Sequence, residues 1–250
     1  MSLKDLRFTE TKPKGILLSV DGLQKSGKTE FGLSMPDPLF ILNLNWGLTG
    51  VIEKHVKLGR ELYVQDIQIP LSKDLPGQAF TLLSGAAAEQ WRKAILVLQE
   101  ALADPNIKSI FIDTGGELWD LLRIARLGKL AQVLPVQYTA VNAEFRQLLQ
   151  ILLVSGKNVV LSHKVKPEYV NDQKTNRFER AGFGDVGFDV QAELRADRDP
   201  KQTGADQFIL TFGDCRANKD LRGQILRGAE CTFLNAVTRI YPDTTEKDWV

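Results

Sequence analysis

The first 165 residues alternate short apolar runs with longer segments whose apolar residues recur at helical spacing. The apolar runs predict buried strands at residues 15–20, 38–43, 62–69, 108–113 and 159–163. The segments between them predict helices at residues 28–33, 86–103, 117–134 and 141–154. Strands separated by helices pair in parallel through right-handed crossovers, so the pattern predicts an α/β fold with a mostly parallel sheet flanked by helices.

The pattern changes after this core. Residues 164–228 are rich in Gly, Asp, Arg and Asn, with strand-like runs at 186–194 and 207–212 and no helical pattern between them. These runs predict antiparallel strands added at the C-terminal edge of the sheet, before a closing helix at 229–239. No linker divides the chain, so we expect one domain over residues 1–250, with a core at 14–165 and an extension of strands and loops at 166–250.

A phosphate-binding motif follows the first predicted strand and opens the first helix. The sequence Gly-Leu-Gln-Lys-Ser-Gly-Lys-Thr at residues 22–29 fits G-x-x-x-x-G-K-[ST] in full. Its glycines let the backbone wrap a phosphate, towards which the N–H groups at a helix N-terminus point. Lys28 is expected to reach the β- and γ-phosphates, and Thr29 to bind Mg²⁺. The expected nucleotide-binding residues are Gly22, Leu23, Gln24, Lys25, Ser26, Gly27, Lys28 and Thr29.

A second candidate, Asp113, ends the apolar run Ile-Phe-Ile. An apolar strand that ends in aspartate suits a Walker B element, whose carboxylate holds Mg²⁺. The alternative is an aspartate that caps the exit of a buried strand, because a helix begins shortly afterwards. With the phosphate loop present, we favour the metal role for Asp113.

Together these residues resemble the RecA-like branch of P-loop ATPases, and among them the phage and prophage ATP-binding proteins of AAA-domain type linked to DNA recombination. The resemblance also rests on the strand at 39–44 that runs into Asn45, on Glu117 after Asp113, and on the strand at 159–164, which resembles a sensor strand. It implies ATP and Mg²⁺ as cofactors and a homo-oligomer acting on single-stranded DNA with recombination or replication proteins.

Hydrolysis of ATP needs a group that positions water opposite the γ-phosphate. The resemblance places Asn45 where RecA-like enzymes commonly carry a glutamate, and an amide orients water without accepting its proton. Glu117 is the other candidate, although a glutamate in the first turn of a helix is also favoured by the helix dipole. The predicted catalytic residues are therefore Lys28, Glu117 and Asn45. Ser162 and His163 are expected to contact the γ-phosphate, with a structural role at the strand end as the alternative.

Two groups of basic residues suggest further contacts. Arg216 and Lys219 follow a late strand, where RecA-like assemblies carry residues that reach the neighbouring subunit's nucleotide; a solvated turn is the favoured alternative. A strip for a DNA backbone would use Phe178 and Phe183 to stack on bases. Its basic residues are Arg123, Arg126, Lys129, Lys164, Lys166, Lys174, Arg177 and Arg180. Interleaved acidic residues leave ordinary solvated surface as the alternative.

Composition narrows the class of protein. The net charge is +1 and hydrophobic residues make up 43% of the chain, which argues against a uniformly basic nucleic-acid-binding surface and against wholesale disorder. Two isolated cysteines predict free thiols in a reducing cytoplasm. No apolar stretch is long enough to span a membrane, and no secretory signal is visible.

Three functions remain open at this point. The first is a RecA-like ATPase. The second is a small-molecule or nucleotide kinase, since the four arginines Arg177, Arg180, Arg195 and Arg198 would suit a lid. The third is a nucleotide-binding partner protein with little hydrolysis, for which Asn45 is the argument. An N-K-x-D guanine signature is absent, which favours ATP over GTP.

Overall fold

The computed structural model describes residues 14–69, 79–128 and 134–250; for residues 79–83 it describes the backbone only. The strands are β1 (Ile16–Gly22), β2 (Leu39–Asn43), β3 (Leu62–Asp66), β4 (Ser109–Asp113), β5 (Asn158–Val170), β6 (Gln173–Arg180), β7 (Ala192–Arg198), β8 (Phe208–Cys215) and β9 (Ile225–Arg227). The helices are α1 (Lys28–Leu33), α2 (Ile52–Lys57), α3 (Ala79–Ala103), α4 (Gly115–Leu127), α5 (Tyr138–Val154), α6 (Val186–Asp189) and α7 (Phe233–Ile240).

The strands form one sheet in the order β3-β2-β4-β5-β1-β7-β8-β9, with β6 paired to β5 outside this path. All pairings from β3 to β7 are parallel, whereas β8, β9 and β6 join antiparallel. This arrangement confirms the predicted α/β class and the antiparallel strands at one edge. Strands from both predicted parts of the chain share the sheet; the single-domain interpretation stays a prediction.

Several predicted boundaries were wrong. The run at 186–194 is not one strand: it contains the short helix α6 and the start of β7, which pairs parallel to β1. The helix predicted at 117–134 ends at Leu127, where Gly128 adopts a φ of 71° and its N–H bonds the carbonyl of Ile124. A left-handed glycine at this position ends a helix well before a downstream proline would.

A long hairpin was also missed. β5 continues beyond His163 to Val170 and pairs with β6 through a turn at Asn171 and Asp172, which adopt φ angles of 51° and 61°. Asparagine and aspartate tolerate this left-handed backbone better than other non-glycine residues. The hairpin therefore extends a core strand out of the main sheet.

Apolar side chains cover both faces of the sheet. Ile110 and Ile112 of β4 pack with residues of α3, α4 and α5, while Phe111 between them packs with residues of α1 and α7. Neighbouring residues of a strand point to opposite faces of the sheet. The face on which the polar residue at the end of a strand lies therefore depends on the register of that strand. Within the residues that the structure describes, no helix combines the length and apolarity that crossing a bilayer requires.

Candidate functional site

The loop at residues 22–29 connects the carboxyl end of β1 to the start of α1. Gly27 precedes the helix with a φ of 96°, and a Cβ placed on it would lie 3.0 Å from the ring of Phe208. A Cβ on Gly22 would lie 2.2 Å from the carbonyl oxygen of Ala196 on the neighbouring strand. Both positions therefore require glycine, for backbone conformation at Gly27 and for close approach at Gly22.

The amino group of Lys28 lies inside this loop. Its Nζ donates hydrogen bonds to the carbonyl oxygens of Gly22, at 2.8 Å, and Leu23, at 2.6 Å. Burial lowers the pKa of Lys28, while the nearby carboxylates of Asp113 and Asp21 act in the opposite direction. The loop thus encloses a cation at the point where the motif predicts phosphate oxygens.

Asp113 ends β4 beside Lys28 and is almost fully buried, at 2% exposure. Its Oδ2 accepts a hydrogen bond from Thr29 Oγ1 at 3.1 Å, and its Oδ1 accepts bonds from Ser162 Oγ and from Asn45 Nδ2. Burial raises the pKa of Asp113, although the bonds from Ser162 and Thr29 and the charge of Lys28 oppose that rise. A divalent cation beside this carboxylate would offset the cost of burying its charge.

These contacts fit Mg²⁺ held jointly with phosphate. In the described part of the chain, no group of three or more His, Cys, Asp or Glu side chains is placed to hold a metal by itself. Mg²⁺ keeps several waters and is commonly bound by one or two protein groups plus substrate phosphates. The hydroxyl of Thr29 and the carboxylate of Asp113 supply such a pair.

The two candidate water-positioning residues are both engaged. Asn45 Oδ1 accepts a hydrogen bond from the Gly47 N–H at 2.7 Å and caps the short turn that follows β2. Glu117 lies in the first turn of α4, where its N–H bonds Thr114 Oγ1 at 3.2 Å, and its Oε1 pairs with Lys164 Nζ. Its Oε2 is buried and accepts no hydrogen bond from the described residues.

Ser162 and His163 lie on opposite faces of β5. Ser162 faces the phosphate loop, whereas His163, at 1% exposure, packs against Gly115 on the side of α4. Burial lowers the pKa of His163 to about 3, helped by the positive charge of Arg180 and opposed slightly by the backbone of Ala181, so the ring is neutral at physiological pH. Only Ser162 lies on the side of the sheet that carries the phosphate loop, so it remains the candidate for contact with the γ-phosphate.

A cavity of about 970 Å³ opens over the loop. This volume is at the upper end of the range of small-molecule and cofactor sites and accommodates a nucleoside triphosphate. All eight motif residues line it, together with Glu30, Asn45, Trp46, Gly47, Val51, Asp113, Thr114, Lys164, Val165 and Phe208. Lys164 was predicted only as part of a DNA strip, and Phe208 was not singled out; the place of Lys164 at the end of the sensor-like strand was the one available signal.

Much of the predicted basic strip is paired with acidic residues. Arg126 binds Glu144 through two nitrogens, and Arg123 pairs with Asp120. Lys166 pairs with Glu179, and Arg180 with Glu193. Lys129 lies outside the described residues. Lys174 and Arg177 are exposed on β6.

The predicted base-stacking role of Phe183 was wrong. Its ring is 4% exposed and packs against Trp119 and Phe145 at centroid distances of 5.0 and 5.2 Å, so no base can reach its face. Phe178 remains partly exposed, at 41%.

The arginines that were predicted for a kinase lid or for contact with a neighbouring subunit's nucleotide lie on the strands at one side of the sheet or just after them. The four arginines proposed for a kinase lid lie on the strands β6 and β7, where Arg180 pairs with Glu193 and Arg195 pairs with Asp21. Arg216 follows β8 at the end of the sheet opposite the phosphate loop, since Cys215 pairs with Ala192 and Ala192 with Leu18. Any contact of Arg216 with nucleotide would therefore involve another subunit.

A family model described as an AAA domain matches residues 14–185, which is more than half of the chain. The matched range runs from the start of β1 past the end of β6, so it contains the phosphate loop, Asp113 and Lys164. A comparison with curated proteins gives no match.

Proposed function

The chain belongs to the AAA-domain family and is a nucleotide-binding P-loop protein, and on that premise we propose that it is a Mg²⁺-dependent ATPase. The contact between Thr29 Oγ1 and Asp113 Oδ2 is the observation that carries the proposal. It joins residues 84 positions apart, and Lys28 donates to the loop carbonyls next to it. A hydroxyl, a buried carboxylate and an amine at the end of a phosphate loop are the protein groups that bind Mg²⁺ and triphosphate.

The role of each residue follows from its contacts. Lys28 would exchange the carbonyl oxygens of Gly22 and Leu23 for oxygens of the β- and γ-phosphates, stabilising the charge that develops during transfer. Thr29 and Asp113 would hold Mg²⁺, which neutralises phosphate charge when bound. Ser162 would keep Asp113 oriented and lie close to the terminal phosphate. The N–H groups at the start of α1 would donate to the phosphates.

Glu117 is the better candidate for positioning the attacking water. Its carboxylate accepts a proton, and its buried Oε2 has no partner among the described residues. Asn45 orients water at most and already uses both ends of its amide. Because Lys164 holds Glu117, a nucleotide-binding protein with little intrinsic hydrolysis is the second candidate. A turnover assay with and without single-stranded DNA separates the two candidates, whereas the arginines expected for a kinase lid lie on the strands β6 and β7.

The resemblance to phage recombination ATPases extends the proposal to DNA. We propose that the protein acts on single-stranded DNA in recombination or replication, as a cytoplasmic homo-oligomer. The hairpin supports DNA contact, because its outer part exposes Tyr169, Phe178, Lys174 and Arg177 while its base, at Lys164 and Val165, lines the nucleotide cavity. The free thiols of Cys215 and Cys231 support a reducing compartment.

Replacement of Lys28 tests nucleotide binding. We expect Lys28→Ala to weaken Mg-ATP binding by about tenfold or more, since charge-assisted hydrogen bonds to phosphate are lost. Isothermal titration calorimetry measures the affinity, with Lys57→Ala on the exposed surface of α2 as the control for removing a positive charge. Equal affinities of wild type and Lys28→Ala would refute the site, whereas the control is expected to bind like wild type.

A further inference from the structure

We propose that Lys164 binds the terminal phosphate of the nucleotide, that it leaves Glu117 to do so, and that this exchange links the nucleotide to the β5–β6 hairpin. The inference rests on the proposed function, because it requires a triphosphate in the loop. It adds Lys164 to Lys28 as a cation that binds the β- and γ-phosphates, and it gives the Lys164–Glu117 pair a function.

The position of Lys164 brings its amino group to the cavity. It pairs in register with Gly22, the first residue of the phosphate loop, and its side chain lines the same cavity as Lys28 and Asp113. It follows Ser162 by two residues on β5, so both lie on the face of the sheet that carries the phosphate loop. The side chain is 61% exposed and has a flexible stem, which leaves the amino group free to move between partners.

The charges around Lys164 favour an exchange of partners. Its Nζ now pairs with Oε1 of Glu117, which carries one negative charge. Lys164 also lies close enough to Lys28 for its charge to disfavour the protonated form of that lysine. A terminal phosphate bears more negative charge and three acceptor oxygens, so it competes with the single carboxylate for the ammonium group.

The same exchange would release Glu117. With Lys164 moved to phosphate, Oε1 of Glu117, which the lysine now occupies, becomes available to a water molecule. Glu117 would then act as the water-positioning group only when a triphosphate is present. A diphosphate, which lacks the terminal group, would leave the Lys164–Glu117 pair intact.

Contacts at the base of the hairpin provide the link to the rest of the molecule. The carbonyl of Lys164 accepts a hydrogen bond from the Ala181 N–H at 2.8 Å, and the next residue, Val165, pairs with Arg180. A Cβ on Gly182 would lie 2.9 Å from the Cα of Gly116 in the first turn of α4. Because Lys164 itself forms part of the hairpin base, its contact with phosphate would connect the nucleotide to backbone that is packed closely against the helix carrying Glu117.

The test compares the affinities for Mg-ATP and Mg-ADP, each measured by calorimetry. We expect Lys164→Ala to weaken Mg-ATP binding by about tenfold and to leave Mg-ADP binding unchanged, because only ATP presents the terminal phosphate. Lys164→Arg, which retains the charge, is expected to restore most of the preference for ATP. Lys166→Ala is the matched control, since Lys166 lies two residues further along β5, pairs with Glu179 and does not line the cavity.

The outcomes separate this inference from the proposed function. If Lys28→Ala loses nucleotide binding while Lys164→Ala keeps the wild-type ratio of ATP to ADP affinity, the role of Lys164 is refuted and the nucleotide site stands. If the wild type binds neither nucleotide, both proposals fail. If Lys164→Ala does not fold, Lys164→Gln carries the same expected result. A loss of ATP preference in Lys166→Ala equal to that in Lys164→Ala would also overturn the inference.

Discussion

The imidazole of His163 lies against the first turn of α4, where a Cβ on Gly115 would be 2.7 Å from its Cε1. The next residue, Gly116, has more room, since a Cβ there would lie 3.6 Å from its nearest neighbour, the carbonyl oxygen of Ala181. The two glycines lie in the same helical turn, between Thr114 and Glu117, but they differ in the space available for a side chain. The same turn carries Glu117, which pairs with Lys164.

The difference between Gly115 and Gly116 provides a prediction for single substitutions. Gly115→Ala is expected to destabilise the protein by about 1–3 kcal/mol, because the buried ring of His163 has no space to move aside. Gly116→Ala is expected to be neutral or to stabilise by up to about 1 kcal/mol, since alanine favours helix over glycine. Urea unfolding followed by circular dichroism measures both. Equal stabilities of the two variants would show that the contact with His163 does not constrain α4.

Sequence patterns located some of these residues better than others. Residues 22–29 were predictable because the chemistry of phosphate binding requires consecutive residues of defined type. The opposite orientations of Ser162 and His163 depend on the register of β5, which the apolar run did not define. The pair between Lys164 and Glu117 joins two elements, so neither local sequence indicates it.

At the scale of elements, the buried strands of the core were predicted closely, whereas the hairpin was not. Continuous apolar runs mark strands covered on both faces, as in β4. The outer part of β5 and all of β6 are largely exposed and mixed in charge, so they lack that pattern. Asn171 and Asp172 were the available signal, because both residues tolerate the left-handed conformation of a two-residue turn.

The hairpin carries the prediction for DNA. Replacing both Lys174 and Arg177 with Ala is expected to weaken single-stranded DNA binding similarly for all sequences. It should also reduce the slope of log K against log salt concentration by about 1.4, since each phosphate contact contributes about 0.7. Fluorescence anisotropy of a labelled oligonucleotide measures both quantities.

The control for this experiment replaces two exposed lysines away from the hairpin, Lys57 on α2 and Lys93 on α3, and therefore removes the same charge. It is expected to bind DNA nearly like the wild type. If the hairpin variant keeps the wild-type affinity and salt dependence, DNA contact by β5 and β6 is refuted.

For the whole molecule, the parallel sheet explains why residues distant in sequence form one site. The carboxyl ends of β1, β2 and β4 lie along one edge, as does the end of the parallel part of β5, and this edge gathers the phosphate loop, Asn45, Asp113 and Lys164. The alternation of strands and helices was enough to predict that these residues lie at one edge of the sheet. The parallel pairing of β7 was not predictable, because its contribution to the sheet depends on tertiary contacts with β1.

The central claim is that residues 22–29 enclose the phosphates of a Mg-nucleotide, and a crystal structure with Mg²⁺ and a non-hydrolysable ATP analogue tests it most directly. We expect the triphosphate in this loop, with Lys28 Nζ about 3 Å from phosphate oxygens instead of bonded to the carbonyls of Gly22 and Leu23. We also expect the metal beside Thr29 and Asp113. Nucleotide bound elsewhere on the chain, with the carbonyl contacts of Lys28 unchanged, would contradict the account.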